Sequence, residues 1–149
     1  MNNKVSRNIL IGLLAFLGIG ALGGGVSLII SPGGSLLGLP LAALGSSPFN
    51  DFLIPGIILT LMLGIFPWLV IFALVDRTEN KFCEHLNTFK DMHWAWTFSI
   101  YVGIMLIVWM QTEMMFENGV HWLHCFYMFL ALLIIFVALL PVVRNFYKK

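Results

Sequence analysis

Four long apolar stretches, separated by more polar connections, dominate the pattern of this chain. Each is close to the roughly 20 residues that an α-helix needs to cross a bilayer. No lysine or arginine occurs in any of them. The predicted helices cover residues 9–30, 52–75, 94–112 and 119–143. The pattern therefore predicts an all-α fold, a four-transmembrane-helix bundle that forms one integral membrane domain over residues 1–149.

The composition supports a membrane class. The chain has 149 residues, of which 60% are hydrophobic and 10% are charged, whereas a soluble domain carries roughly 25% charged residues. The first stretch also exceeds the roughly 7–15 residues of a signal-peptide core, so we expect it to remain as a membrane helix.

The basic residues predict how the bundle is oriented. They fall at the N-terminus, between the second and third helices, and at the C-terminus. They are Lys4, Arg7, Arg77, Lys81, Lys90, Arg144, Lys148 and Lys149. Because cytoplasmic segments of membrane proteins are enriched in Lys and Arg, both termini and the middle connection are expected in the cytoplasm. Trp96, at the start of the third helix, is then expected near a membrane interface.

The cytoplasmic connection contains a second, shorter helical pattern. Phe82, Leu86 and Phe89 are spaced as one stripe of a helix, and polar residues fill the other positions. This spacing predicts a short amphipathic helix that lies on the inner leaflet.

The loop between the first two helices, residues 31–51, is unusually apolar and has one charge. We call it the lid. Pro40 precedes Leu41–Leu44 and Gly45 follows, an order that predicts one short helical turn. We expect the lid to lie in the headgroup zone or to fold back as a cap over the bundle. It then either packs as a plain cap or gates a lipid or small apolar ligand.

Residues 9–66 resemble a known group of proteins. The glycine-rich first helix is followed by SPGGSLLGLP and then SPFNDFLIPGIIL. Together they resemble uncharacterised small four-helix integral membrane proteins of bacteria. The resemblance implies a four-span fold and a multi-pass protein of the bacterial cytoplasmic (inner) membrane, and it implies no chemistry.

Small residues form one face of the first helix. Gly20 and Gly24 are a GxxxG pair, and Ala21 and Gly25 continue the same face. Such faces let two helices approach closely. The packing partner is either another helix of this chain or another protein, and a second copy of the chain would serve as well.

The connection between the third and fourth helices carries the polar side chains with the most chemistry. His121 and His124 are three residues apart and share a face if they are helical. With carboxylate, thiolate and thioether groups nearby, they form a candidate site for zinc or copper. The candidate ligands are Met110, Met114, Glu117, His121, His124 and Cys125. The alternative is that these residues are merely solvated where the chain leaves the membrane.

Several function classes are disfavoured. A net charge of +1 gives no reason to expect nucleic acid as a partner. Ionisable side chains near the middle of the membrane, typical of pumps, are lacking in the sequence. No catalytic motif is recognisable, which favours a non-enzymatic protein, and no cofactor is expected unless it is a metal.

The leading prediction is therefore an interaction or accessory subunit of a membrane assembly. Its partners would be membrane lipids and either another membrane protein or a second copy. The alternatives are extracytoplasmic copper or zinc binding or delivery, and lipid or quinone binding under the lid.

Overall fold

A computed structural model of the chain describes residues 2–149 and is all-helical, which confirms the predicted class. The helices are α1 (Asn3–Ile30), α2 (Leu53–Asp76), α3 (Lys81–Leu86), α4 (Trp94–Glu117), α5 (Trp122–Leu139) and α6 (Pro141–Phe146). By length and composition, α1, α2, α4 and α5 are able to span a membrane. The chain therefore has the four candidate membrane-spanning helices that the hydropathy pattern predicts.

Helices α1 and α4 extend past their predicted bounds because polar residues cap or continue them. Helix α5 is shorter than the predicted 119–143, because the chain leaves the helical conformation at Leu140, just before Pro141. Asn2 caps α1, since its side-chain oxygen accepts a hydrogen bond from the backbone N–H of Lys4. Helix α4 continues past residue 112 and ends at Glu117. Asn118 then takes the left-handed conformation, with φ of 51°, that commonly ends a helix. Hydropathy detects the apolar part of such helices and misses their polar turns.

The four long helices form a closed ring in which α1 packs on α2, α2 on α4, α4 on α5, and α5 on α1. Leucines of α1 meet aliphatic side chains of the other helices in one continuous core. Buried members of this core include Leu10, Leu14, Leu17, Val70, Leu74, Leu106 and Ile134. We call the end of the bundle with the lysines and arginines the basic end, and the opposite end, where residues 31–51 lie, the lid end.

Helices α1 and α2 approach closely at a pair of glycines. A Cβ atom on Gly25 would lie 3.0 Å from the carbonyl oxygen of Gly56 and 2.9 Å from the backbone nitrogen of Thr60. A Cβ atom on Gly56 would lie 3.0 Å from the carbonyl oxygen of Gly25. The absence of side chains at both positions lets the two backbones touch.

Helix α2 contains a π-helical turn over Thr60–Ile65. There the N–H of Phe66 donates to the carbonyl of Leu61, five residues back. Pro67 follows directly and has no N–H, and its ring would clash with the carbonyl of residue 63 in a regular α-helix. The wider turn relieves this conflict, and π-turns recur at functional sites.

The lid contains the predicted short turn and is fixed to the bundle. Residues Leu41–Leu44 form a single 3₁₀ turn between Pro40 and Gly45, as predicted. Leu44 is buried with Leu28 and Phe52 in a small core of their own. Two further contacts join the lid to the end of α4: the Ser46 hydroxyl donates to the Met115 carbonyl at 3.3 Å, and the Phe49 and Phe116 rings meet edge to face. The lid is therefore a packed cap.

The C-terminus is held at the basic end. The buried Tyr147 hydroxyl donates to the Leu74 carbonyl at 2.7 Å, and burial raises the pKa of Tyr147 to about 12. The backbone N–H of His93 donates to the Tyr147 carbonyl at 2.9 Å. Lys149 Nζ lies 2.7 Å from Glu84 Oε2 on α3. These contacts join the chain end to a short helix that holds Phe82 and Leu86 of the predicted stripe, whereas Phe89 lies beyond the end of the helix.

Candidate functional site

A cavity of about 410 Å³ lies between the four long helices at the lid end. Its volume falls within the roughly 300–1,000 Å³ of typical small-molecule sites. One part of its wall is aliphatic and the other is polar and aromatic. The wall comprises Leu17, Gly20, Ala21, Gly24, Leu39, Leu59, Leu63, Leu106, Trp109, Met110, Glu113, Glu117, His121, Trp122, Leu123, His124 and Tyr127.

The cavity exists because α1 contributes small residues to it. Gly20, Ala21 and Gly24 line one side, where larger side chains would fill the space. Gly20 also admits the hydroxyl of Tyr127 from α5, which would lie 2.9 Å from a Cβ atom at that position. The π-helical turn contributes Leu63, which is 1% exposed. The small residues predicted as a packing face thus form a cavity wall at these three positions.

The polar part of the wall is built from the end of α4 and the start of α5. Glu113 and Glu117 are four residues apart on α4 and share one face. His124 lies in the first turn of α5 and is 5% exposed. Its Nε2 atom is 3.5 Å from Glu113 Oε2 and 3.7 Å from Glu117 Oε2. His121 Nε2 lies 3.4 Å from Glu117 Oε2. Two carboxylates therefore face two imidazoles.

The hydrogen bonds of His124 define its neutral form. Its Nδ1 atom accepts a hydrogen bond of 3.1 Å from the backbone N–H of His121, the residue that caps α5. A nitrogen that accepts cannot carry the proton of a neutral imidazole, so the N–H is on Nε2. That N–H points toward the carboxylates of Glu113 and Glu117.

Two buried polar atoms in this wall make no hydrogen bond within the part of the chain that the structure describes. They are Glu117 Oε2, an acceptor, and Trp109 Nε1, a donor. Most buried polar atoms in folded proteins have a partner, and an unpaired one is costly. Polar groups of a molecule bound in the cavity would pair with such atoms.

A second cavity of about 260 Å³ lies beneath the lid. It shares four wall residues with the first cavity: Leu39, Trp109, Glu113 and Glu117. Leu39 comes from the lid and the other three from α4. The polar side chains of α4 therefore lie between two neighbouring cavities, and the lid contributes to both.

The predicted metal ligands are only partly brought together. Met110, Glu117, His121 and His124 line the first cavity. Cys125 is exposed, and Met114 is half-buried on α4; across residues 2–149, neither contributes to that cavity wall. Within the same residues, no three side chains of His, Cys, Asp or Glu are arranged to hold a metal ion.

Trp109, Glu113 and Tyr127 belong to the site but not to the predicted ligand set. A signal for two of them exists in the sequence, since Trp109, Glu113 and Glu117 repeat every four residues and share one helical face. Tyr127 carries no such signal, because only the packing of α5 on α1 brings it to the cavity.

Comparison with known proteins adds no further assignment. No protein-family model, no curated protein and no solved structure matches the chain.

Proposed function

We propose that this protein binds a small amphipathic molecule of the lipid or quinone class in the cavity at its lid end. The observation that carries the proposal is the division of the wall. Aliphatic side chains and bare helix backbone line one part, and Glu113, Glu117, His124 and Trp109 line the other. An apolar tail matches the first part, and a polar head matches the second.

The lid supports this proposal. Leu39 borders both cavities, and the lid is held to α4 through Ser46 and Phe49. A packed cap of this kind reduces the contact of water with the polar groups below it, and His124 is only 5% exposed. Low local dielectric strengthens hydrogen bonds and charge interactions with a bound head group.

The accessory-subunit hypothesis has less support in this fold. It drew on the small-residue face of α1, but Gly25 packs against α2, and Gly20, Ala21 and Gly24 face the cavity. We retain the proposal that the protein lies in the bacterial cytoplasmic membrane with both termini inside, because every lysine and arginine lies at one end of the bundle. The cavity then opens on the extracytoplasmic half of the membrane.

The test fills the cavity without disturbing the bundle. A Cβ atom on Gly24 would meet Leu59 Cδ2 at 3.7 Å, an ordinary contact, so Gly24→Leu directs the added side chain into the cavity. Gly23 is exposed and a Cβ atom there would meet no atom within 4 Å, so Gly23→Leu is the matched control. Both changes replace a helical glycine by the same helix former and alter helix propensity equally.

The readout is native mass spectrometry of both variants and the wild type after extraction from their own membrane in mild detergent. We expect wild type and Gly23→Leu to retain one amphipathic molecule and Gly24→Leu to lose it. Equal retention by the two variants would contradict binding in this cavity. A wild type that retains another polypeptide and no small molecule would favour the accessory-subunit hypothesis.

A further inference from the structure

The charge at the polar end of the cavity is not balanced by basic residues. Glu113 and Glu117 contribute two carboxylates, and residues 8–76 and 91–143 contain no lysine or arginine. The groups that approach them are imidazoles, and His124 in its neutral form offers one N–H to both. Both glutamate side chains are half-buried, and the desolvation of a carboxylate without a partner is costly. Lysine and arginine are absent from this end of the bundle, so a bound cation would supply a positive charge that the imidazoles do not hold permanently.

Aromatic rings share the same cavity. Trp109, Trp122 and Tyr127 all line it. The faces of indole and phenol rings attract cations, and aromatic groups with carboxylates are a common arrangement for alkylated ammonium groups. Glu117 Oε2 is in addition a buried acceptor that makes no hydrogen bond within the described residues, although the imidazole of His121 lies 3.4 Å away.

Resting on the proposed function, we infer that the head of the bound molecule is an ammonium group, so that the cavity selects a cationic or zwitterionic amphiphile through Glu113, Glu117 and the three aromatic rings. An anionic head would be repelled by both carboxylates. A neutral head with acceptor oxygens, such as a quinone, would find one imidazole N–H and one indole N–H but would leave the carboxylate charge unpaired. The ammonium head can come from a zwitterionic lipid or from a free alkylamine.

The experiment compares head groups on one tail. Four probes are titrated calorimetrically into the full-length protein in neutral maltoside micelles, with empty micelles as the blank. The probes are octyltrimethylammonium, octanol, octanoate and octylphosphocholine. The Coulomb energy of a charge pair in a partly buried site predicts that octyltrimethylammonium binds about tenfold or more tightly than octanol, and octanoate least of all. The affinity of octylphosphocholine, relative to octyltrimethylammonium, distinguishes a lipid headgroup from a free amine.

Variants test the named carboxylates. Glu117→Gln keeps the side-chain shape and is expected to weaken octyltrimethylammonium binding by about tenfold or more, with octanol unchanged. Glu79→Gln is the matched control, because Glu79 is exposed and lies at the basic end. The comparison of the probes on the wild type needs no variant and stays informative if Glu117→Gln does not fold.

The outcomes separate this inference from the function on which it rests. Tighter binding of the ammonium probes, lost in Glu117→Gln alone, supports both. Equal affinity for octyltrimethylammonium and octanol would overturn the ammonium head and leave the cavity as a ligand site. Failure of every probe to bind saturably would overturn the proposed function itself.

Discussion

Replacing Gly25 by alanine tests how α1 and α2 are held together. The added Cβ atom would lie 2.9 Å from the Thr60 nitrogen and 3.0 Å from the Gly56 carbonyl oxygen, and closer still to the Thr60 hydroxyl. Two of these atoms belong to the backbone, so the methyl group cannot be accommodated by turning a flexible side chain. The two helices must move apart.

The size of the effect follows from a comparison with Gly23→Ala. Overpacking a tight contact costs about 1–3 kcal/mol, whereas replacing glycine by alanine in a helix stabilises by about 1 kcal/mol. The gain in helix propensity is common to both variants, because Gly23 and Gly25 are both within α1. A Cβ atom on Gly23 meets no atom within 4 Å. Gly25→Ala should therefore be less stable than Gly23→Ala by about 1–3 kcal/mol.

The assay is reversible unfolding in mixed micelles by titration with sodium dodecyl sulfate, followed by circular dichroism. Adding Thr60→Ala to Gly25→Ala should restore part of the loss, since it removes the hydroxyl contact and leaves the two backbone contacts. Equal stability of Gly25→Ala and Gly23→Ala, within about 0.5 kcal/mol, would refute the close packing of α1 on α2.

Two further predictions concern the basic end of the bundle. Tyr147→Phe should lower the free energy of unfolding by about 1–3 kcal/mol, because it leaves the Leu74 carbonyl, near the end of α2, without its buried donor. An unchanged unfolding midpoint would contradict this prediction. The second prediction concerns Glu84. Burial alone would raise the pKa of Glu84, but hydrogen bonds from Lys149 and Asn87 outweigh the effect of burial and lower this pKa. The contribution of Glu84 to the stability of the fold is therefore present above the ordinary glutamate pKa and is lost as the pH falls through the lowered pKa. Because the Glu84–Lys149 pair is partly exposed, this contribution to the free energy of unfolding amounts to about 0–1 kcal/mol. The unfolding of Glu84→Gln, measured as a function of pH, should lack this contribution. Identical pH profiles for the variant and the wild type would count against the Lys149 contact.

The sequence predicts the four long helices well because hydropathy alone decides whether a segment can span a membrane. It predicts less about which way a side chain points. Trp96 was expected near a membrane interface, and it is 1% exposed inside the bundle, where its Nε1 donates to the Ala138 carbonyl at 2.7 Å. Length and apolar content give no information on that direction.

The candidate site was predictable only in part. Glu117, His121 and His124 were recognised as a polar cluster because they are close in sequence. The cavity itself depends on the placement of Gly24 in α1 and the end of α4 around one space, an arrangement of distant parts of the chain. A single sequence holds no direct signal for such pairs, so small residues first indicated a packing face rather than a cavity wall.

A photo-crosslinking experiment tests the ligand cavity most directly. A diazirine analogue of leucine replaces Leu63, which lines the cavity and is 1% exposed, or Leu61, which is 54% exposed on the outer surface of the bundle. The protein is purified in mild detergent, illuminated and weighed by mass spectrometry. We predict one retained amphipathic molecule crosslinked at position 63 and only detergent at position 61. Water addition or intrachain products alone at position 63 would contradict it.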